Sequence, residues 1–291
     1  MKNIINQKII DTHHHLWDLE KLEYAWLTEE DPEETEVLGD YAKIRKTYSV
    51  TDLLNDFSGS NVVKSVHLQA NYSGPDNVEE TKWISELADS HGFPHGIIAF
   101  TDLMSDDAEE ELDRHCEYSR MRGVRTFYTG EQLLENNFNK GLKALEDRNL
   151  IYDLHSLKDD MEHALTMANN NPNLQIILGH AGLPLERSKE YFNEWKKSLE
   201  ILAKPDNVAI KISGLGMADH IWDTISIKDW VLSCIEVFGV DRCMFGTNWP
   251  VDSLYSSYRE LIDSYKEVIS EFSEEEKISL FSANAEKYYK L

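Results

Sequence analysis

The sequence predicts an α/β protein built as a closed (β/α)8 (TIM) barrel. Three observations carry that expectation. Eight short apolar or β-branched runs recur along the chain, helical patterns separate them, and no Gly-rich phosphate turn follows the first run. The last point disfavours the competing doubly wound sheet, which often carries such a turn there. The chain has 291 residues, a length that one barrel fills as a single domain spanning 1–291.

The runs come in this order: KII at 8–10 leading into DTHHH at 11–15, VVKSVHLQA at 62–70, HGIIAFTDL at 95–103, RGVRTF at 122–127, LIYDL at 150–154, LQIILG at 174–179, VAIKIS at 208–213 and RCMFG at 242–246. Asn77 opens the helix before the third run, with Glu80 three residues on. Its apolar positions Ile84, Leu87 and Ala88 follow helical spacing, and Gly92 ends it. Ser105 is expected to cap the next helix, which carries Leu112 and Cys116. Further helical patterns cover 133–145, 161–168, 191–203, 230–238 and 258–269, and Ser273 with Glu276 forms a capping box before the last helix. The segment 16–50 breaks the repeat. It is long and charged, carries Tyr24, Trp26, Leu27 and Tyr41, and either covers the barrel mouth or packs on its exterior.

Composition narrows the class. Hydrophobic residues at 41% and charged residues at 28% describe a folded globular chain rather than a disordered one. A formal net charge of -24 repels nucleic acid and anionic membranes and is read as a solvated acidic exterior rather than as a specific partner surface; a small-molecule substrate is the expected partner. A homo-oligomer is compatible with the chain. Acidic clusters at 31–36, 106–111 and 274–276 lack the calcium-loop pattern and are expected at helix starts and in loops. Cys116, Cys234 and Cys243 are scattered, as suits buried thiols in a reducing compartment. The first residues lack a signal-peptide core and no apolar run approaches a membrane span, so the expected location is cytoplasmic.

The residues suited to chemistry stand at strand ends, where a barrel builds its site. Side chains alternate on a strand, so His13 and His15 point one way and His14 the other. Two adjacent imidazoles can hold a metal ion or a substrate oxygen. His180 ends the sixth run and Asn248 follows the eighth. Asp153 with His155, and His67 with Gln69, share faces at the ends of the fifth and second runs, and each pair serves packing as readily as catalysis. Arg122 and Arg125 flank the fourth run, where a guanidinium at the mouth suits a carboxylate or an oxyanion and one at the barrel bottom serves equally well in a salt bridge. Gly214-Leu-Gly216 is a loop and not a dinucleotide fingerprint, since no third glycine follows in register.

In order along the chain, D-x-H-x-H at 11–15, HAGLP at 180–184, KISGLG at 211–216 and RCMFGTNWPVD at 242–252 resemble the amidohydrolase-related family of barrel hydrolases. More narrowly they resemble the branch holding sugar-acid lactonases and pyrone-dicarboxylate lactonase. The resemblance runs from Asp11 to about Tyr288. It implies a (β/α)8 barrel that opens the lactone ring of a small sugar-acid or carboxylated substrate. It implies roles for His13 and His15 as metal ligands, joined by His180, with zinc the first choice and the metal often dispensable in this branch. At position 248 most of the superfamily has an Asp that takes a proton from water, and this chain has Asn248, whose amide is no base. His180 is then the first choice for proton acceptor and His155 the second, with Asp153 or Asp252 as the rival carboxylate. The expected acid limb is roughly 6–7 for a histidine base and roughly 4 for an unperturbed carboxylate. Arg125, Trp26, Tyr24 and Trp249 are the expected substrate contacts. A metal-dependent decarboxylase of the same superfamily, and a non-catalytic sugar-binding barrel, are the alternative functions.

Overall fold

A computed structural model describes residues 7–29 and 31–291. Among them, eight parallel strands pair in sequence order: β1 (Ile9–His14), β2 (Val62–Leu68), β3 (Gly96–Ala99), β4 (Met121–Thr126), β5 (Ile151–Leu154), β6 (Ile176–Leu178), β7 (Val208–Ile212) and β8 (Cys243–Phe245). All eight expected runs are strands. Beyond β8 the chain returns to β1: Asn248 N donates to His13 O at 2.8 Å and His15 N to Trp249 O at 2.7 Å. Those bonds join the last strand to the first at the mouth, and the sheet becomes a barrel.

The helices are α1 (Ala25–Thr28), α2 (Pro32–Leu38), α3 (Val50–Phe57), α4 (Val78–His91), α5 (Ala108–Cys116), α6 (Asn136–Asp147), α7 (Met161–Asn170), α8 (Lys189–Leu202), α9 (Thr224–Phe238), α10 (Tyr258–Val268), α11 (Glu274–Ile278) and α12 (Asn284–Tyr289). Acidic residues fill the first turns of α2, α5 and α11, where they offset the exposed N–H groups. The Ser273–Glu276 capping box is present. Two expected caps are not. Asn77 turns its amide to Glu111 and Asp76 accepts from Val78 N instead. Ser105 accepts from Asp107 N in the turn before α5. Cys234 and Cys243 are buried as expected, whereas Cys116 is exposed at the end of its helix. No helix among the described residues is long and apolar enough to cross a membrane.

The barrel interior is layered. Inward residues Ile10, Val66, Leu68, Ile98, Ile151, Ile177, Ala209 and Met244 meet Ala285, Tyr288 and Tyr289 of α12, which plugs the end where the strands begin. Above that apolar layer lies a buried ion pair, Lys211 Nζ to Asp153 Oδ2 at 2.6 Å, with the Tyr289 hydroxyl 3.3 Å from the same ammonium. Both charges are out of water, so each depends on the other; removing one partner of such a pair costs about 3–5 kcal/mol. The mouth, at the strands' C-terminal ends, is polar.

Candidate active site

An irregular register between Asp11 and His14 sets the first-strand histidines. Asp11 turns outward, and its carboxylate accepts from His13 N, Thr247 N, the Thr247 hydroxyl and the Tyr258 hydroxyl. It ties β1 to the segment after β8 and is structural. His13 and His15 face each other inside, Nε2 to Nε2 at 3.2 Å. His14 points outward to the Ser65 hydroxyl at 2.9 Å, so the expected alternation is observed. His15 Nδ1 lies 2.9 Å from Leu68 O. A carbonyl only accepts, so Nδ1 carries the proton and the Nε2 lone pair faces the site. Gly246 makes room for the pair: a Cβ there would stand 2.8 Å from His13 Cβ.

His180 follows β6 at φ 49, Ala181 and Leu183 also have positive φ, and Asn248 has φ 56. Non-glycine residues in the left-handed region store strain, and here they aim side chains at one point. His180 Nδ1 lies 3.0 Å from the Ser213 hydroxyl, and its ring centroid is 4.3 Å from that of His13. Gly214 is required beside it, since a Cβ would approach His180 Nδ1 to 2.5 Å and the backbone has φ +63. Asn248 Nδ2 donates to Asp252 Oδ1 at 2.9 Å. Asp252 Oδ2 is buried with no hydrogen-bond partner among the described residues. Arg125 Nη2 donates to Gln69 O at 2.7 Å, and its guanidinium lies over the Phe127 ring, 5.1 Å from the centroid.

His15, Arg125, His155, His180 and Asn248 line one pocket of about 380 Å³ together with Trp26. Its imidazoles are neutral. Burial and the neighbouring cations hold His15 down to about 3 and His155 to about 4, and burial drives His13 and His180 well below the usual range. The same burial raises Asp252 to about 7 and Asp11 to about 6. The pocket floor therefore carries neutral donors and acceptors plus the cation of Arg125, while the Lys211–Asp153 pair lies buried in the barrel interior and does not line the pocket.

Several expected residues lie elsewhere. Tyr24 is buried and its hydroxyl donates to Glu80 Oε1 at 3.1 Å. Trp249 donates from Nε1 to Asp56 Oδ2 at 2.7 Å and lines a separate hollow with Trp17 and Tyr48. Neither reaches the pocket. His67 faces the helix layer, because Val66 and Leu68 take the inward positions of β2. Arg122 sits at the opposite end of β4, bonded to Ser119 O and Met121 O. Asp153 is engaged with Lys211. Sequence reasoning passed over Ser213, Glu34 and the pocket wall. Lys211 had a readable signal, since a lone lysine inside an apolar run needs a buried partner.

A resident divalent ion would need three or more convergent donors at this mouth. The 3.2 Å gap between His13 and His15 suits two imidazoles on one ion. His180 meets His13 ring against ring at 40°, and the Asn248 amide is bonded to Asp252. Among the described residues no three His, Cys, Asp or Glu side chains converge as ligands. The set is incomplete for a resident metal.

An eight-stranded barrel with imidazoles and a guanidinium gathered at its mouth is an enzyme-type scaffold. Residues 10–291 match the Amidohydrolase family model, and the chain belongs to that family. It is 40% identical to the uncharacterized protein y4mH of Sinorhizobium fredii, over 97% of this chain and 98% of that one. It is 25% identical to an L-fucono-1,5-lactonase of Burkholderia ambifaria, over 84% and 81%. Among solved structures, a zinc-bound amidohydrolase of Burkholderia multivorans superposes with a TM-score of 0.84 at 21% identity, covering 98% of this chain and 99% of the other. A 2,6-dihydroxybenzoate decarboxylase from Rhizobium superposes at 0.66 with 16% identity, covering 98% and 99%.

Proposed function

We propose that the protein is a lactone hydrolase that opens the ring of a small lactone by attack of water on the ring carbonyl. The observation that carries this reading is the convergence of Arg125, His15, His180 and Asn248 on one pocket whose imidazoles are uncharged. The Arg125 guanidinium, buried with one protein hydrogen bond at Nη2, binds the carbonyl oxygen and stabilises the charge that grows there. Asn248, fixed by Asp252, orients the water. His180 takes the water proton as the new C–O bond forms. The ring C–O bond then breaks, and the same proton passes to the departing alkoxide, giving a hydroxy acid. The lactonase name of the Burkholderia ambifaria relative supports this reading. A decarboxylase is the competing activity, disfavoured by Asn248 at the position where that chemistry normally uses Asp.

A panel of lactones and aromatic carboxylic acids tests it, read by acid release and by carbon dioxide release. Lactone-dependent acid release is the expected result. Carbon dioxide release from an arene acid would replace the reading with a decarboxylase, and binding without turnover would replace it with a binding barrel.

A further inference from the structure

The pocket has two tiers. Its floor is polar, and its wall is made of apolar side chains, among them Trp26, Val37, Leu157 and Met217. At the rim Phe127 is 43% exposed and Leu185 38% exposed, two of the few large apolar side chains open to solvent among the described residues. Apolar groups left open around a pocket mouth mark a surface that a ligand covers. A polyhydroxylated ring pressed on this wall would lose water from its hydroxyls without gaining partners. The polar exceptions on the wall are Glu33, Glu34 and the single amide of Asn71. The two glutamates repel a carboxylate, and three polar side chains are too few to partner the hydroxyls of a polyol.

We infer that the substrate is a lactone whose carbonyl end meets the Arg125 floor and whose far end is an alkyl or aryl group, neither a polyol nor a second carboxylate. The inference rests on the lactonase reading for the reacting end alone. The far end is assigned by the wall.

The test is kcat/KM for 6-methyl-, 6-propyl- and 6-pentyl-tetrahydropyran-2-one beside D-glucono-1,5-lactone, for wild type and for Phe127→Ser and Leu185→Ser. Leu185→Ser changes an exposed position; Phe127→Ser also removes the ring beneath Arg125 and beside His155, so for that variant only the slope across the alkyl series is read, not the absolute kcat/KM. The expected rise is about fourfold per methylene, the transfer preference of one buried CH₂, and the serine variants flatten it. A flat or falling series, or a preference for gluconolactone, overturns the inference while the lactonase reading stands. If no lactone opens, the lactonase reading fails, and tryptophan fluorescence titration decides the inference separately. Tighter binding of the 6-pentyl lactone than of gluconolactone sustains it, and equal or weaker binding overturns it.

Discussion

His180 stands 3.0 Å from the Ser213 hydroxyl among other imidazoles and near Arg125, a setting that opposes a positive charge on its ring. Asp252, buried behind Asn248, is pushed the other way to about 7. Burial thus reverses the ordinary order in which a histidine base gives an acid limb near 6–7 and a carboxylate one near 4. The diagnostic expected from the sequence therefore changes sign. With His180 as base, kcat/KM stays flat from pH 8 down to pH 6, since the imidazole remains neutral above its lowered pKa. With Asp252 as base, activity halves near pH 7. We expect the flat profile. His180→Asn is expected to lower kcat by at least about 10²-fold, the span of a lost general base, and Asn248→Ala by less. Equal losses, or a limb at pH 7, would move the base to the Asn248–Asp252 pair. Because the His13–His15 pair offers two ligands and no complete set, dialysis against EDTA is expected to leave kcat within about twofold, checked beside metal content by mass spectrometry.

The 16–50 segment acts as two units. Its α1 and α2 bring Trp26, Glu33, Glu34 and Val37 to the mouth, while Trp17, Tyr24 and Tyr41 are buried. Both expected dispositions, cover and exterior packing, are present in one connection. Trp26 is held by Nε1 donating to Ala70 O at 2.9 Å. Trp26→Ala is expected to raise KM more than it lowers kcat. Tyr24→Phe removes a partner of the buried Glu80, so it should lower Tm by about 2–6 °C with KM unchanged, measured by calorimetry beside steady-state kinetics. A KM change in Tyr24→Phe, or none in Trp26→Ala, would reverse the assignment. At this scale β-strands were legible because each is a compact apolar run. The helix α3 was not, since its residues 50–57 adjoin an irregular segment, although Ser49 and Asp52 do form a capping box there.

Across the whole molecule the buried imidazoles His13, His14, His15, His67, His155 and His180 share lowered pKa values, and the fully buried carboxylates Asp11, Glu80 and Asp252 share raised ones. The signs oppose. A depressed histidine contributes stability above the unfolded-state value near 6.5, and that stability is lost as pH falls toward the folded value. A raised carboxylate contributes stability below its unfolded-state value near 4, lost as pH rises through the folded value of 6–7. The imidazoles are more numerous, so Tm is expected to fall by at least about 5 °C between pH 7 and pH 5. A Tm that rises over that interval would show that the carboxylates dominate. Lys211→Met leaves Asp153 buried without its partner and is expected to cost about 3–5 kcal/mol by denaturant unfolding.

The sequence by itself determined the barrel, the inward pair His13 and His15 and the place of His180 and Asn248 at strand ends. Each of these follows from local periodicity, which survives in the linear chain. Tertiary structure alone decided which aromatics of the 16–50 segment reach the pocket, that Asp252 stands behind Asn248, and that the wall is apolar. Those facts join residues far apart in the chain, such as Trp26, Leu185 and Met217. Tertiary structure also decided the proton affinities, because they depend on exclusion from water and on neighbouring charges, and neither exists until the barrel closes around them.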